Sequence, residues 1–342
     1  MTNKTCPTDE PLGRRRRVGL IGLGLVGTAI AECLLRQQFD VVGFDIDSAR
    51  CKHLEELGVI VLSNSTEVAQ EVERVILSLP DTQTVQQVIA RLSEGWSRSW
   101  EGPGGARDEG RVTRDEGRGT SDERRATSAE RRAPRYIIDT TTGDPDTTAA
   151  LADRLRKQRI YLLDATISGS SQQVRNRETV FMVGGDKAAF EICQDIFRAI
   201  TEKVFYLGPS GNGSKAKLAS NLVLGLNRLV LAEGLVFAGK LGLEPQAFLE
   251  LLKVTPAYSA IMDTKGKKML NGDFTPQARL RQHHKDVSII LKYAERSGQE
   301  LPLSKVHLDV LEKAVAAGDG DLDNSAVIRE IERRKRLSMN SE

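Results

Sequence analysis

Cysteine and histidine are scarce in this chain of 342 residues, which has four of each. The cysteines are scattered and form no C-x-x-C pair, which favours free thiols in a reducing compartment over a disulfide framework. The histidines show no metal-ligand spacing with cysteine or acidic residues. We therefore expect no structural zinc and assign no metal ligands.

A strong net charge and a membrane-length apolar run are also lacking. The formal net charge is +2, too balanced to indicate a nucleic-acid partner through bulk charge. We identify no apolar run that approaches the ~20 residues of a membrane span, and the opening "MTNKTCPTDEPLG" has no apolar signal core. These features predict a soluble, cytoplasmic protein without a membrane partner, and a flexible basic tail over residues 1–16.

Short apolar runs alternate with amphipathic stretches between residues 17 and 207. The candidate strands are "RVGLIGL", "DVVGFDI", "VIVL", "RVILSLP", "RYIIDTT", "IYLLDAT", "TVFMVGG" and "KVFYLG". This alternation predicts a mostly parallel sheet with helices on both faces, which is a Rossmann-type, doubly wound α/β domain. Residues 208–337 show helical patterns alone and predict an all-α C-terminal domain for substrate binding and dimerisation.

One segment, residues 93–134, interrupts this alternation. It is rich in Arg, Asp, Glu, Gly and Ser, repeats the motif "RDEGR" and has few large apolar residues. Such a composition buries too little surface to offset chain entropy, so we interpret it as a disordered charged insertion. Its tryptophans, Trp96 and Trp100, are assigned to a passive loop, with docking on the body of the protein or on a partner as the alternative.

The first glycine-rich loop has the pattern G-x-G-x-x-G between a strand and a helix. Gly22, Leu23, Gly24, Leu25, Val26 and Gly27 form this loop, which is typical of a turn that binds a dinucleotide pyrophosphate at a helix N-terminus. Asp45 lies 18 residues after Gly27, near the position where an acid binds the ribose of NAD. The pattern favours NAD, although Asp47 is a rival acid and Arg50 leaves NADP possible.

The second glycine-rich stretch, "GPSGNGSKAKLASN", fills residues 208–221. It fails the Walker pattern because Ser214 stands where that motif requires lysine. We interpret it as a helix entry with Ser214 near the cap. Lys217 and Asn221 then share a helical face four residues apart. A lysine on an apolar helix has a lowered pKa that suits proton transfer, although a snorkelling lysine has the same spacing.

Five motifs in order resemble the signatures of the β-hydroxyacid dehydrogenases. They are "GLIGLGLVG", "DTTTGDP", "DATISGS", "GPSGNGSKAKLASN" and "HKDVSIIL". The resemblance covers about residues 17–335 outside the insertion. It implies an NAD(P)-dependent oxidoreductase that interconverts a small β-hydroxy acid and its semialdehyde or keto acid. Separately, the helix predicted over residues 217–240 is apolar nearly all round, more than one small helical domain covers, so we expect a homodimer or homotetramer.

The resemblance also implies roles for individual residues. Lys217 is the implied catalytic acid/base, and Asn221 orients Lys217 or the substrate. The implied carboxylate site is Ser168, Gly169 and Ser170, and the implied cofactor contacts beyond the glycine loop and Asp45 are Leu79, Pro80, Thr141, Thr142 and Lys285. Asp286 is implied to support the helix that carries Lys285.

The chain departs from the usual family pattern at Ala165-Thr166-Ile167 and at Ser170. These changes suggest extra hydroxyls near the substrate, which slightly favours a polyhydroxylated acid. Two alternative functions remain at this point. One is an imine reductase-like enzyme of the same fold, although such enzymes usually lack a lysine at this position. The other is a non-catalytic dinucleotide-binding sensor or scaffold.

Overall fold

The computed structural model describes residues 16–99 and 133–334 of the chain. The helical and strand segments of the first part alternate as the apolar pattern predicts. The strands are β1 Arg17–Ile21, β2 Asp40–Phe44, β3 Ile60–Val61, β4 Arg74–Leu77, β5 Arg135–Asp139, β6 Ile160–Ser168, β7 Val180–Gly184 and β8 Val204–Tyr206. The helices between them are α1 Leu25–Arg36, α2 Ser48–Glu56, α3 Ser65–Glu71, α4 Thr82–Ser99, α5 Pro145–Arg156, α6 Ser171–Arg175, α7 Lys187–Ile192 and α8 Gln194–Ile200.

The eight strands form one sheet in the order β3-β2-β1-β4-β5-β6-β7-β8. Every neighbouring pair is parallel except β6 and β7, which are antiparallel. One apolar cluster packs α1, α7 and α8 on one face, and a second packs α3, α4 and α5 on the other. The doubly wound sheet with helices on both faces is therefore confirmed. The strand order reverses between β1 and β4, where open α/β sheets leave a crevice for ligands.

The remainder of the described chain is helical. A long helix, α9, spans Asn212–Lys240 and is followed by α10 Pro245–Lys253, a π-helical turn Met262–Gly266, α11 Lys267–Asn271, α12 Leu280–Arg296, α13 Pro302–Ala316, 3-10 turns Asp319–Asp321 and Asn324–Ala326, and α14 Val327–Arg333. A third apolar cluster joins α9 to these helices. α9 also contacts β6 and β7, so it connects the sheet to the helical domain.

The start of the predicted insertion is wrong. Helix α4 continues through residue 93 to Ser99, and Trp96 is buried with its indole Nε1 donating to the Val72 carbonyl at 2.9 Å. Trp96 therefore belongs to the core and anchors the end of α4. The greater part of the segment, including Trp100, lies outside the described residues, as do almost all of the basic tail and residues 335–337 of the predicted helical domain.

Two details of α9 also correct the sequence analysis. Within the described residues it is long and apolar enough to cross a membrane by length and composition, although no run of that length was recognised. Ser214 lies near the cap as expected, in the first turn after the N-cap Gly211, but the acceptor there is Asp164 from β6, whose carboxylate accepts from the backbone N–H of Gly211 at 3.0 Å and of Ser214 at 2.8 Å. The free thiols are confirmed for Cys33, Cys51 and Cys193.

Candidate active site

The first glycine loop follows β1 and leads into α1, as its pattern predicts. Gly22 has a φ of +92°, and a Cβ there would lie 2.2 Å from the Ser78 carbonyl oxygen. A Cβ at Gly27 would lie 1.9 Å from the Gly22 oxygen, so these two glycines are required by the fold itself. At Gly24 a Cβ would meet no protein atom closer than Nη1 of Arg50 at 4.0 Å. Gly24 therefore borders open space at the start of a helix that no side chain caps.

Gly24→Ala and Gly27→Ala are expected to separate cofactor binding from folding. Gly24→Ala adds a methyl group to the open space at the helix N-terminus, so the fold is retained while the Kd for NADH rises roughly tenfold or more. Gly27→Ala forces its methyl into the Gly22 carbonyl, so it destabilises the domain. Fluorescence titration with NADH and thermal unfolding of both variants test this. Tight NADH binding by a folded Gly24→Ala protein contradicts it.

Asp45 is the better placed of the two candidate acids at the end of β2. Its carboxylate is buried and accepts from the backbone N–H of Leu23 at 2.6 Å and of Asp47 at 2.9 Å. Asp47 instead caps α2 by accepting from Ala49 and Arg50. The half-exposed guanidinium of Arg50 lies 3.5 Å from Asp45 and 3.2 Å from Asp47. Asp45 is thus hydrogen-bonded to the glycine loop, and Arg50 lies within ion-pair distance of both carboxylates.

The loops after β4 and β5 lie together on the opposite side of the crevice. The Thr141 hydroxyl accepts from the Leu79 N–H at 3.2 Å. The Lys285 ammonium, from α12, donates to the carbonyls of Pro80 at 3.0 Å and Thr142 at 2.8 Å. All five predicted residues therefore form one contact network. The network binds the helical domain to the two loops, a structural role that sequence analysis did not assign to Lys285.

Asp139 stabilises the same loop from beneath. Its carboxylate accepts from the Thr141 N–H at 2.9 Å and is buried. Burial raises the pKa of Asp139 to about 7, against hydrogen bonds from Thr141 that act in the other direction. This side chain orients the loop from within the sheet.

The predicted carboxylate loop lies at the end of β6. Ser168 ends the strand, Gly169 has a φ of +149°, and Ser170 caps the short helix α6 in a reciprocal pair with Gln173. A Cβ at Gly169 would lie 2.7 Å from Oγ1 of Thr179, which donates to the Ser168 carbonyl at 2.9 Å. The loop is therefore fixed by its own capping box and by Thr179, a residue that sequence analysis missed.

The hydroxyls of Thr166 and Ser170, from which a polyhydroxylated substrate was predicted, have hydrogen-bond partners within the protein. Thr166 is buried, and its hydroxyl donates to the Gly213 carbonyl at 2.9 Å. Ser170 uses its hydroxyl to accept from the Gln173 N–H at 3.2 Å. Thr166 therefore joins β6 to the first turn of α9 and gives no support to a polyhydroxylated acid, whereas the Ser170 hydroxyl, which accepts here, keeps its O–H as a donor.

Lys217 and Asn221 share the buried face of α9, one turn apart. Nδ2 of Asn221 donates to the Asp286 carboxylate at 3.1 Å, and that carboxylate lies 3.3 Å from the Lys285 ammonium. Asp286 is itself buried, and burial raises its pKa against the opposing effects of Lys285 and Lys217. Asp286 thus orients Asn221 directly and links it to the residue that contacts both cofactor-side loops.

The Lys217 amine has an environment suited to proton transfer. Burial lowers its pKa from the usual 10.5 to about 8, Asp286 opposes this change, and the charges of Arg228 and Lys285 reinforce it. Lys215, two residues earlier, is exposed. The two lysines of the second glycine-rich stretch therefore differ in their burial: the Lys217 side chain is buried and that of Lys215 is exposed. Near neutral pH Lys217 can readily exchange a proton, because its two protonation states are close in free energy.

The predicted site residues are brought to one edge of the sheet. The loops after β1, β2, β4, β5 and β6 meet at the carboxyl ends of parallel strands, and α9 and α12 cover them from the helical domain. Sequence analysis missed the capping role of Asp164 and a buried group formed by Arg228, His283 and His307. Their partners are distant in sequence, so residue spacing gave no signal for these roles.

Comparison with known proteins identifies the family. The family profile for the NAD-binding domain of 6-phosphogluconate dehydrogenase matches residues 17–99 and 119–208, more than half of the chain. The profile described as NAD-binding of NADP-dependent 3-hydroxyisobutyrate dehydrogenase matches residues 211–331. The chain belongs to the β-hydroxyacid dehydrogenase family.

Several characterised dehydrogenases and reductases resemble this family member along most of its length. It is 27% identical over 314 residues to 2-(hydroxymethyl)glutarate dehydrogenase of Eubacterium barkeri, covering 92% of this chain and 94% of the relative. It is also 27% identical over 314 residues to glyoxylate/succinic semialdehyde reductase 1 of Arabidopsis thaliana, covering 92% and 98%. The 3-hydroxyisobutyrate dehydrogenase structure from Salmonella typhimurium shares the fold, with a TM-score of 0.74, 22% identity and coverage of 92% and 99%.

This β-hydroxyacid dehydrogenase binds a nicotinamide dinucleotide, NAD or NADP. The residues present fit such a cofactor. The open space at Gly24 and the uncapped N-terminus of α1 suit a pyrophosphate, and the Asp45 carboxylate at the end of β2, beside the glycine loop, suits a ribose hydroxyl. The chain is thus an oxidoreductase of this family, whereas its cytoplasmic location stays a prediction.

Proposed function

We propose that this chain is an NAD-linked dehydrogenase that interconverts a small β-hydroxy acid and its semialdehyde or keto acid, with Lys217 as the acid/base. The observation that supports this most strongly is the buried Lys217 amine, whose pKa of about 8 lies within reach of neutral pH. It lies on the helix that joins the sheet to the helical domain, one turn from Asn221. This is the environment that general base catalysis requires.

Each group in the site has a proposed task in the oxidation. The bound nicotinamide supplies the redox chemistry by accepting a hydride from the substrate carbon. Neutral Lys217 takes the hydroxyl proton as the carbonyl forms, and protonated Lys217 returns it in the reverse direction. Ser168, Gly169 and Ser170 hold the substrate carboxylate with N–H and O–H donors. Asn221, held by Asp286, orients the reacting oxygen or the amine.

We further propose NAD as the preferred cofactor. The buried Asp45 carboxylate stands at the ribose position and repels a 2′-phosphate. Arg50 lies nearby, but the carboxylates of Asp45 and Asp47 already pair with its guanidinium. A phosphate would have to displace these pairs before Arg50 could bind it.

A panel of substrates tests the proposed reaction. Oxidation of 3-hydroxyisobutyrate, glycerate, threonate, 6-phosphogluconate and 2-(hydroxymethyl)glutarate is followed at 340 nm with NAD and with NADP, and carbonyl reduction is followed with and without an added amine. The proposal expects oxidation of at least one small β-hydroxy acid, faster with NAD. Turnover only when an amine is present would favour the imine reductase alternative. Tight NADH binding without any turnover would favour the sensor.

The outer face of α9 supports a second proposal, that two copies of the chain form a homodimer. Val223, Val230 and Phe237 recur at intervals of seven residues, so they lie on one stripe. Their exposed fractions are 56%, 66% and 62%, unusually high for large apolar side chains in a row on a monomer surface. A second copy of the same helix would cover this stripe symmetrically.

Val230→Glu is expected to convert the dimer into a monomer, because it places a charge at the centre of the stripe. Val254→Glu is the matched control, since Val254 is 83% exposed but lies beyond the end of α10, outside the stripe. Sedimentation velocity at micromolar protein concentration measures the outcome. A monomeric wild-type chain, or a Val230→Glu variant that remains dimeric, contradicts the proposal.

A further inference from the structure

A buried polar group lies behind the proposed active site in the helical domain. Arg228 of α9, His283 of α12 and His307 of α13 are all buried, and the two imidazole rings lie 5.1 Å apart. We call these three residues the Arg–His cluster. Gly225 leaves room for it, because a Cβ there would lie 2.6 Å from Nε2 of His283 and 2.7 Å from Cε1 of His307.

The cation in the cluster is not neutralised by a direct partner. Among the described residues, Arg228 has no carboxylate within 4.0 Å, and its Nε and Nη1 atoms are buried without a hydrogen-bond partner. Nε2 of His283 is also buried and unpartnered. Burying an unpaired charge costs several kcal/mol. An apolar side chain would fill the same space at a lower cost in folding free energy. Packing alone therefore does not account for a charged residue at this position.

The cluster lies on the same side of α9 as the proposed acid/base. Residues 217, 221, 225 and 228 follow one face of the helix, because their spacings of four and three residues are those of a single stripe. Asn221 contacts Asp286, and His283 stands one turn before Asp286 on α12. The His283 imidazole packs against Gly225, which stands between Asn221 and Arg228 on this stripe.

The two imidazoles add no positive charge of their own beside Arg228. Burial and the neighbouring Arg228 hold the pKa of His283 well below its usual value. Burial, again with Arg228, lowers the pKa of His307 to about 4. Both rings are therefore neutral at neutral pH. A neutral, buried path screens the guanidinium poorly, so its charge acts over a longer range than it would in water.

We propose that Arg228 is a positioning residue of the active site, whose buried charge, beside the neutral His283 ring, acts to keep the Lys217 amine ready to accept a proton near neutral pH. This inference rests on the proposed role of Lys217 as the acid/base. It adds a residue that touches neither substrate nor cofactor. It also explains why a costly unpaired cation stands three turns along the same helix.

Other charged groups near Lys217 and Arg228 also influence the protonation of the Lys217 amine. Asp286 opposes the effect of Arg228 on the Lys217 amine, whereas Lys285 adds to it. Burial lowers the pKa of Arg228 to about 10, against the attraction of Asp323 and Asp286. Other titratable groups on elements packed against α9 include Asp164, which accepts hydrogen bonds at the start of α9, Lys265, which pairs with Asp323, Glu330, which pairs with Arg333 and Arg334, and His284, which lies 3.9 Å from Glu312.

The titration of Lys217 itself tests the proposal in the full-length chain. Protein labelled with ¹³C at lysine Cε is titrated by NMR without substrate, and the Lys217 signal is assigned by its absence in Lys217→Met. Arg228→Met and Arg228→Gln are expected to raise the midpoint by about one pH unit. Arg228→Lys keeps a cationic side chain at this position and is expected to restore part of the wild-type midpoint, because burial also favours the neutral form of a lysine there. The acid limb of kcat/KM for oxidation should move with the NMR midpoint in each variant.

The outcomes separate this inference from the proposed function. If the midpoint in Arg228→Met and Arg228→Gln equals that of the wild type, the positioning role of Arg228 is wrong. A change of equal size in Arg228→Lys would overturn it as well, because a packing defect does not depend on charge. If Lys217→Met retains turnover, the proposed function fails regardless of what Arg228 does. If Lys217→Met is inactive and the midpoint is unmoved, only the role of Arg228 fails.

Discussion

Lys217→Met is expected to lower turnover by roughly 10²- to 10⁴-fold, the usual contribution of a general acid/base. Methionine keeps the length and apolar stem of lysine but has no proton to exchange. The affinity of the Lys217→Met variant for NADH is expected to stay near that of the wild type, because the glycine loop and Asp45 do not contact this side chain. Lys215→Met is the matched control, since Lys215 is exposed on the same helix two residues away. Stopped-flow turnover and NADH fluorescence measure the two properties.

The same substitution is expected to stabilise the protein at neutral pH. The unfolded chain binds a proton on this lysine up to its usual pKa of 10.5, whereas the folded chain releases it at about 8. The folded state thus disfavours the charged amine, at a cost of about 3 kcal/mol at and below pH 8. Lys217→Met removes that cost. Such a gain on loss of a functional group is typical of active sites.

The pH dependence has a definite sign. Between pH 8 and 10.5 the unfolded wild-type chain binds more protons than the folded chain, so wild-type stability rises with pH in this window. The advantage of Lys217→Met should therefore be largest below pH 8 and nearly absent at pH 10.5. Urea unfolding at several pH values measures it. A constant difference across the window, or full turnover by the variant, contradicts the assigned environment of Lys217.

Those parts of the fold that follow from local patterns were predictable from the sequence. Alternating strands and helices fix a doubly wound sheet, because each element must bury its own apolar face. Gly22 and Gly27 occupy positions where the backbone leaves no room for a side chain, and the motif reports that requirement directly. The four-residue spacing of Lys217 and Asn221 likewise placed both on the buried face of one helix.

Features that depend on distant partners were not predictable in the same way. Thr166 was expected to place a hydroxyl near the substrate. Its hydroxyl instead donates to the Gly213 carbonyl in the first turn of α9, 47 residues away. Trp96 lies beside a low-complexity segment, yet its indole reaches Val72 in the core. Composition reports whether a residue can be buried, and spacing reports which residues share a face. Neither reports which non-local group a polar atom meets, which is also why the Arg–His cluster gave no signal.

Asp164→Ala is expected to lower the free energy of unfolding by about 3 kcal/mol or more. The carboxylate is buried in β6 and accepts from two backbone N–H groups at the start of α9. Alanine leaves both donors buried without acceptors, at about 1–3 kcal/mol each, and removes the negative charge from the helix N-terminus.

Asp186→Ala is the matched control for this cap. Asp186 caps α7 from within its own segment and is only half-buried, so water replaces its lost contact and the expected cost is about 1 kcal/mol. Asp164→Asn is expected to lie between the two, because its amide keeps one acceptor oxygen and turns a donor towards the other N–H. Urea unfolding of the three variants measures the order. Equal losses for Asp164→Ala and Asp186→Ala would show that α9, and with it the position of Lys217, does not depend on the carboxylate from β6.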